Sequence, residues 1–230
     1  MRTLALRNGR RERGWSQQEA ARRLGVSQPY LALLERGKRR LTPELARRAA
    51  RVYGLPASEL PPRALSAQTL LDDRALAADL ANLGYPALAH FRSHRPRKNP
   101  AESLLAALRR DDLEPRVTEG LPWLLLQFEN LDRNYLAEQA RLQNLQNRLG
   151  FVVDLALQVA RRSPSYLDRL GELESLKEEL ERSRLAVEDT LCQGSLPEPK
   201  RRWLVENRTP EAAYWHLLTD WRPEHLRYAS

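Results

Sequence analysis

At 230 residues with one cysteine, Cys192, the chain can bury a core without staples and can form neither an intrachain disulfide nor a cluster built on several thiolates. No apolar run approaches the ~20 residues of a membrane span, and residues 1–7 (MRTLALR) lack a secretory apolar region, which points to a reduced cytoplasm. The formal charge of +8 is lopsided: residues 1–63 carry 15 Lys and Arg against 5 Asp and Glu, the remainder 23 against 25, so a polyanion-binding module joined to an ordinary second domain is expected.

Leu and Ala are abundant, β-branched residues are few, and no clear period-2 alternation bounded by turn signals is found, so helix is expected throughout. A first helix is predicted over residues 3–13, closed by Gly14. Ser16 follows as an N-cap with Glu19 three residues on, the pattern of a capping box. The second helix, 17–24, turns Ala20, Ala21 and Leu24 to one face. After Gly25 and Val26, Ser27 is a second N-cap, eleven positions beyond the first. The third helix, 28–36, has Pro29 in its first turn, where a missing N–H is harmless, and Leu31 and Leu34 inward; Gly37 ends it. Two short helices joined by Gly-Val-Ser make a helix-turn-helix.

The ordered string Ser16-Gln17-Gln18-Glu19-Ala20-Ala21-Arg22-Arg23-Leu24-Gly25-Val26-Ser27, then Leu31, then Glu35-Arg36-Gly37-Lys38, resembles the Cro/lambda-repressor (XRE) family. Residues 43–53 match that family's fourth helix, with Leu45, Ala49 and Val52 inward, and 55–60 its short fifth. The resemblance covers about residues 3–60, with Ala20 where the family usually carries Leu. It implies that the third helix enters the major groove. Gln28 is then the best base reader, its amide suited to a bidentate pair with adenine. Tyr30, Ala32 and Leu33 come within reach of bases or thymine methyl groups, and Ser27 joins the DNA-facing set at the cap. Pro29 and Leu33 stand where relatives are often polar, so the readout leans on few hydrogen bonds. Gln17 matches a phosphate-contacting position at a helix N-terminus. Local charge adds Arg10, Lys38, Arg39 and Arg40 as phosphate ligands. Glu35 is expected to pair with a nearby Arg inside the module, and Arg22-Arg23 and Arg47-Arg48 to form a solvated face.

Pro56, Pro61 and Pro62 punctuate the module's end, giving a DNA-binding domain at 1–63 and a helical dimerisation, partner- or ligand-binding domain at 64–230. The fold class expected is all-α: a lambda-repressor-like five-helix domain followed by an all-helical C-terminal domain. Beyond the module, Ser66 caps a helix to Leu83 with a stripe of Leu70, Leu71, Leu76, Leu80 and Leu83. Gly84 stops it and Pro86 begins a short helix. Residues 95–100 read as a basic exposed connection, and Asn99-Pro100 opens a helix carrying Leu104, Leu105 and Leu108. Residues 121–126 are core. A longer helix runs over 132–148, breaks or kinks at Gly150, and resumes through Val152 to Val159. Residues 165–189 are continuously helical, with Leu173, Leu176 and Leu180 as the inner stripe of a helix packed on the domain. Trp203, Trp215 and Trp221 in the tail are expected to pack as well. Residues 66–230 carry no family resemblance.

His90 and His94 at i, i+4 lack the further ligand a zinc site needs. There is no His-Glu-x-x-His motif, no Gly-rich phosphate loop, no convincing Ser–Lys dyad among four scattered lysines, and no activating context for Cys192. No enzyme, metal or cofactor is expected. The reading is a repressor-like, sequence-specific transcriptional regulator, binding double-stranded DNA as a homodimer, with no membrane role. The alternative is an antitoxin whose C-terminal domain holds a toxin while the N-terminal module autoregulates the operon. A small-molecule sensor in the helical bundle is a third.

Overall fold

The computed structural model describes residues 3–62, 72–94 and 96–228, and its chain divides into two units, Met1–Arg63 and Ala64–Ser230. In the first, helix α1 is Thr3–Glu12, α2 Gln17–Leu24, α3 Gln28–Glu35 and α4 Pro43–Tyr53; the expected fifth helix is a single 3₁₀ turn, Ala57–Glu59. Hydroxyls open the helices: Ser16 Oγ accepts from Glu19 N at 3.1 Å, Ser27 Oγ from Tyr30 N at 3.4 Å and Thr42 Oγ1 from Leu45 N at 3.3 Å. Each satisfies one of the donors a helix start leaves free. The return half of the capping box is replaced, because the Glu19 carboxylate accepts from Arg22 and Arg23 instead.

Gly25 makes the turn between α2 and α3. At φ 66° it lets Val26 N–H donate back to Ala21 O at 3.0 Å, a left-handed close that a side chain would strain. Ala20, Ala21, Leu24, Leu31 and Leu34 then meet Leu6, Leu45, Ala49 and Tyr53 in one core, with Val26, Tyr30 and Val52 half-buried at its edge. The two alanines let α2 approach its neighbours closely.

In the second unit, the helices are α5 Asp73–Leu83, α6 Pro100–Leu108, α7 Pro115–Gln127, α8 Arg133–Leu142, α9 Gln146–Arg162, α10 Leu170–Glu181, α11 Glu198–Asn207 and α12 Pro210–Tyr214. The start expected at Ser66, with Leu70 and Leu71, lies outside the described residues, as does Arg95 of the basic loop; the described helix begins after Asp72, whose Oδ1 accepts from Ala75 N at 2.7 Å. Helix α9 is the spine, buried along most of its length and packed by α7 and α10. Leu173, Leu176 and Leu180 of α10 face it, as their spacing implied. That helix ends at Glu181, and a 3₁₀ segment, Pro164–Arg169, replaces its expected first turns. A two-residue parallel pair, β1 Asp189–Thr190 against β2 Leu217–Leu218, had no counterpart in the sequence reading.

The break expected at Gly150 is not there: α9 runs straight through it, and the interruption falls at Asn144, left-handed at φ 56°. Leu145 N–H closes α8 by donating to Ala140 O at 2.8 Å. Gly150 is glycine for another reason, since a Cβ there would collide with the six-membered ring of Trp215, which is fully buried. Two polar groups of α9 anchor the surroundings. Asp154 accepts from Lys177 Nζ and from Trp215 Nε1, each at 2.7 Å. Arg148 grips Asp189 through two bonds of 2.6 and 2.9 Å and donates to Leu108 O and Arg110 O, both at 2.8 Å. Of the tail tryptophans, Trp221 is half-buried and Trp203 is 46% exposed, contrary to the expected packing, under Lys200 at 4.2 Å.

No helix among the described residues is long and apolar enough to cross a membrane. The 3₁₀ segment Pro86–Phe91 ends before His94, so His90 and His94 do not share a helical face, and no described group of three His, Cys, Asp or Glu side chains is placed to hold a metal ion. Burial pushes the Cys192 thiol up to about 12, against the pull of the Arg148 charge.

Candidate nucleic-acid interface

Helix α3 begins on the Ser27 cap, so Ser27, Gln28 and Pro29 stand exposed at its N-terminal end. Two turns further on, on the same side as Gln28, Glu35 is buried with its side chain 2% exposed. A buried carboxylate needs charged partners. Arg10 of α1 supplies them, with Nε to Oε1 at 2.6 Å and Nη2 to Oε2 at 3.0 Å, while its Nη1 donates to Trp15 O at 2.8 Å. Gln17, in the first turn of α2, donates from Nε2 to Glu35 Oε2 at 2.9 Å, and its Oε1 accepts from Gln28 Nε2 at 3.1 Å.

This chain has a direction. An ionised carboxylate only accepts, so Gln17 must turn its NH2 to Glu35 and its oxygen outward. The outward oxygen takes one N–H of Gln28. The Gln28 amide is left with its second N–H and its carbonyl oxygen free, the donor–acceptor pair that matches N7 and N6 of adenine. Burial pushes the Glu35 carboxyl up, but the hydrogen bonds from Arg10 and Gln17 and the charges of Arg10 and Arg7 outweigh it and hold it below the usual carboxylate range. The same bond to Glu35 raises the Arg10 guanidinium above its ordinary value. Close by, burial and then the Glu35 charge push the Tyr53 hydroxyl up to about 12.

Of the residues singled out in the sequence, Ser27, Gln28, Lys38, Arg39 and Arg40 are exposed, and Gln17, Tyr30 and Leu33 half-buried. Lys38, Arg39 and Arg40 make no ion pair among the described residues and occupy the connection after α3. Two placements differ from expectation. Ala32 is 7% exposed, on the turn beside Leu31 and Glu35, and offers DNA little surface. Arg10, only 12% exposed, commits its guanidinium to Glu35 and Trp15 and is not free to meet a phosphate. Arg22 and Arg23 pair with Glu19, Arg23 also lying 4.3 Å over the Trp15 ring, and Arg48 caps Leu24 O at 3.0 Å. The ion pair of Glu35 was anticipated from its setting, but its hold on Gln17 was not. Arg10, Gln17 and Glu35 come from three helices, and no spacing rule links them.

Residues 6–60, about a quarter of the chain, match the family model described as helix-turn-helix. No curated protein and no solved structure was found to match. Capped α2 and α3, the Gly25 turn between them and the family match agree: the N-terminal unit is a helix-turn-helix module of the Cro/lambda-repressor type.

Proposed function

We propose that this chain is a sequence-specific, repressor-like regulator of transcription, with α3 in the major groove and Gln28 reading adenine. The observation that carries the reading is the Arg10–Glu35–Gln17–Gln28 chain, which holds one exposed amide in a single donor–acceptor orientation. Preorganised polar groups of this kind give base discrimination without an ordering cost at binding. The N-terminus of α2 at Gln17, through its backbone N–H, and Lys38, Arg39 and Arg40 after α3 are the phosphate contacts, and Ser27, Tyr30 and Leu33 border the reader. One such module buries little DNA surface, so the binding species is a homodimer on half-sites about one turn apart, with Ala64–Ser230 supplying dimerisation or effector sensing.

Selection of random DNA by the full-length protein at two salt concentrations tests this. The expected outcome is a palindromic motif and an affinity that falls steeply with salt. Gln28→Ala should lose roughly 5- to 150-fold at one base pair of each half-site, the span of a bidentate contact worth about 1–3 kcal/mol. Unchanged affinity and site choice in that variant would refute the placement of α3.

A second reading, an antitoxin whose second unit holds a toxin, draws on α11. That helix buries only Leu204 and exposes Trp203 and Val205, at 46% and 51%. A stoichiometric partner co-purifying from the native host, and lost with Trp203→Ala, supports it; a purely homo-oligomeric species argues against it.

A further inference from the structure

On the exposed side of α3, past the Ser27 cap, the two side chains that open beside Gln28, Pro29 and Leu33, have no hydrogen-bonding group. Pro29 is exposed beside it, and Leu33, one turn on at i+4, lies half-open on the same face. Ala32 is buried, and Tyr30 packs its ring against the core. Arg36, beyond Leu33, folds its Nε back onto Ala32 O at 3.0 Å. A side chain with no donor or acceptor cannot distinguish the O4 of thymine from the N4 of cytosine. It can still gain contact area from a methyl group on C5.

Resting on the DNA-reading role of α3 proposed above, we propose that Pro29 and Leu33 form a reader of pyrimidine 5-methyl groups that is indifferent to the identity of the pyrimidine. At the base steps they cover, thymine and 5-methylcytosine are equivalent ligands, and uracil and unmodified cytosine are equally poor ones. Specificity then divides within one helix. Gln28 reads hydrogen bonds at one base pair, and the apolar pair reads methylation of the pyrimidine at its neighbours. The module thereby responds to cytosine 5-methylation of its own site.

The test uses the full-length protein and its selected site, with each pyrimidine replaced in turn so that thymine, uracil, cytosine and 5-methylcytosine are compared at one position. Thymine against uracil, and 5-methylcytosine against cytosine, differ only by the methyl. At one or two positions per half-site each comparison should give about four-fold, the transfer value of a single buried methyl. Leu33→Ala should abolish both differences there. Pro29→Ala, at an exposed position that tolerates change, should reduce them at the adjacent step. Leu33→Gln should restore discrimination between thymine and 5-methylcytosine. Equal binding of thymine and uracil throughout a site still preferred over random DNA would overturn the methyl reader and leave the regulator standing. A methyl effect that survives both alanine variants would overturn the assignment to Pro29 and Leu33. Absence of any preferred site would overturn the proposed function itself.

Discussion

Replacing Arg10 by Met isolates the ion pair beneath Gln17 and Gln28. The substitution keeps an aliphatic stem in place while removing the guanidinium, and so leaves a Glu35 side chain 2% exposed with Gln17 Nε2 as its remaining partner at 2.9 Å. Stripping one member from a buried pair costs about 3–5 kcal/mol. A unit the size of Met1–Arg63 has a stability of roughly 3–9 kcal/mol at about 0.05–0.15 kcal/mol per residue. The variant's N-terminal unit therefore retains at most about 6 kcal/mol at neutral pH and, at the low end of that range, is unfolded. The pH dependence adds a signature that plain destabilisation lacks. In the native chain the Glu35 carboxyl is held below its unfolded value, so its contribution is complete above ~4.3 and is lost as pH falls through the lower folded value. Without Arg10 the burial that is already the largest influence on Glu35 acts against only the Gln17 hydrogen bond and the Arg7 charge, and the folded carboxyl moves above its unfolded value. The variant is then penalised at high pH and recovers as the carboxyl takes up a proton. The stability gap is widest near pH 7 and narrows toward pH 4. Amide hydrogen exchange of the full-length protein, corrected for intrinsic rates, reads this in α1 to α4, with α9 of the second unit as internal control. A gap below about 1 kcal/mol, or one constant across that pH range, would refute the account of Glu35.

Three further outcomes follow from the second unit. Gly150→Ala, which in an unobstructed helix would gain about 1 kcal/mol, should instead lose about 1–3 kcal/mol by forcing the Trp215 ring to move; a neutral or stabilising result in denaturant unfolding would mean the ring has room. Arg148→Met should cost about 3 kcal/mol, the lower end for a buried pair because Asp189 keeps access to water, and should accelerate exchange around Asp189 and Thr190 first. Trp203→Ala should change thermal stability by less than about 0.5 kcal/mol, since its ring lies on the surface; a large loss would show that α11 is packed more tightly than its exposure indicates.

How much of this was legible in the residues depends on how far apart the cooperating groups lie. Ser16 and Ser27 as caps, and Gly25 as the turn, are local signals. Each involves a side chain or a backbone angle acting within about four residues, and α2, Gly25 and α3 occur where those signals put them. The inward leucines of α3 and α10 follow from helical period. That Ala32 is covered is not legible in the sequence, because helical position places it between faces and only the packing around it decides its exposure. The β1–β2 pair was invisible for the opposite reason, since two residues per strand carry no alternation to detect.

The two glycines carry the argument furthest. Gly25 and Gly150 read alike as interruptions of a helical pattern, yet one ends a helix and the other sits inside one. At Gly25 the requirement is a left-handed backbone angle, which the neighbouring cap at Ser27 already announces. At Gly150 the requirement is the absence of a Cβ under a tryptophan ring that arrives from far along the chain, and α9 continues through it. Asn144, which does break the chain, gives a weaker signal than glycine because asparagine only tolerates the left-handed region. The same distinction governs the interface. Gln28, the proposed reader, is singled out by its place after a cap, whereas the direction of its amide is set by Glu35 through Gln17, and the charge of Glu35 is supported by Arg10 on another helix. Local sequence names Gln28 as the exposed amide after the cap; its tertiary partners determine which of its atoms are presented.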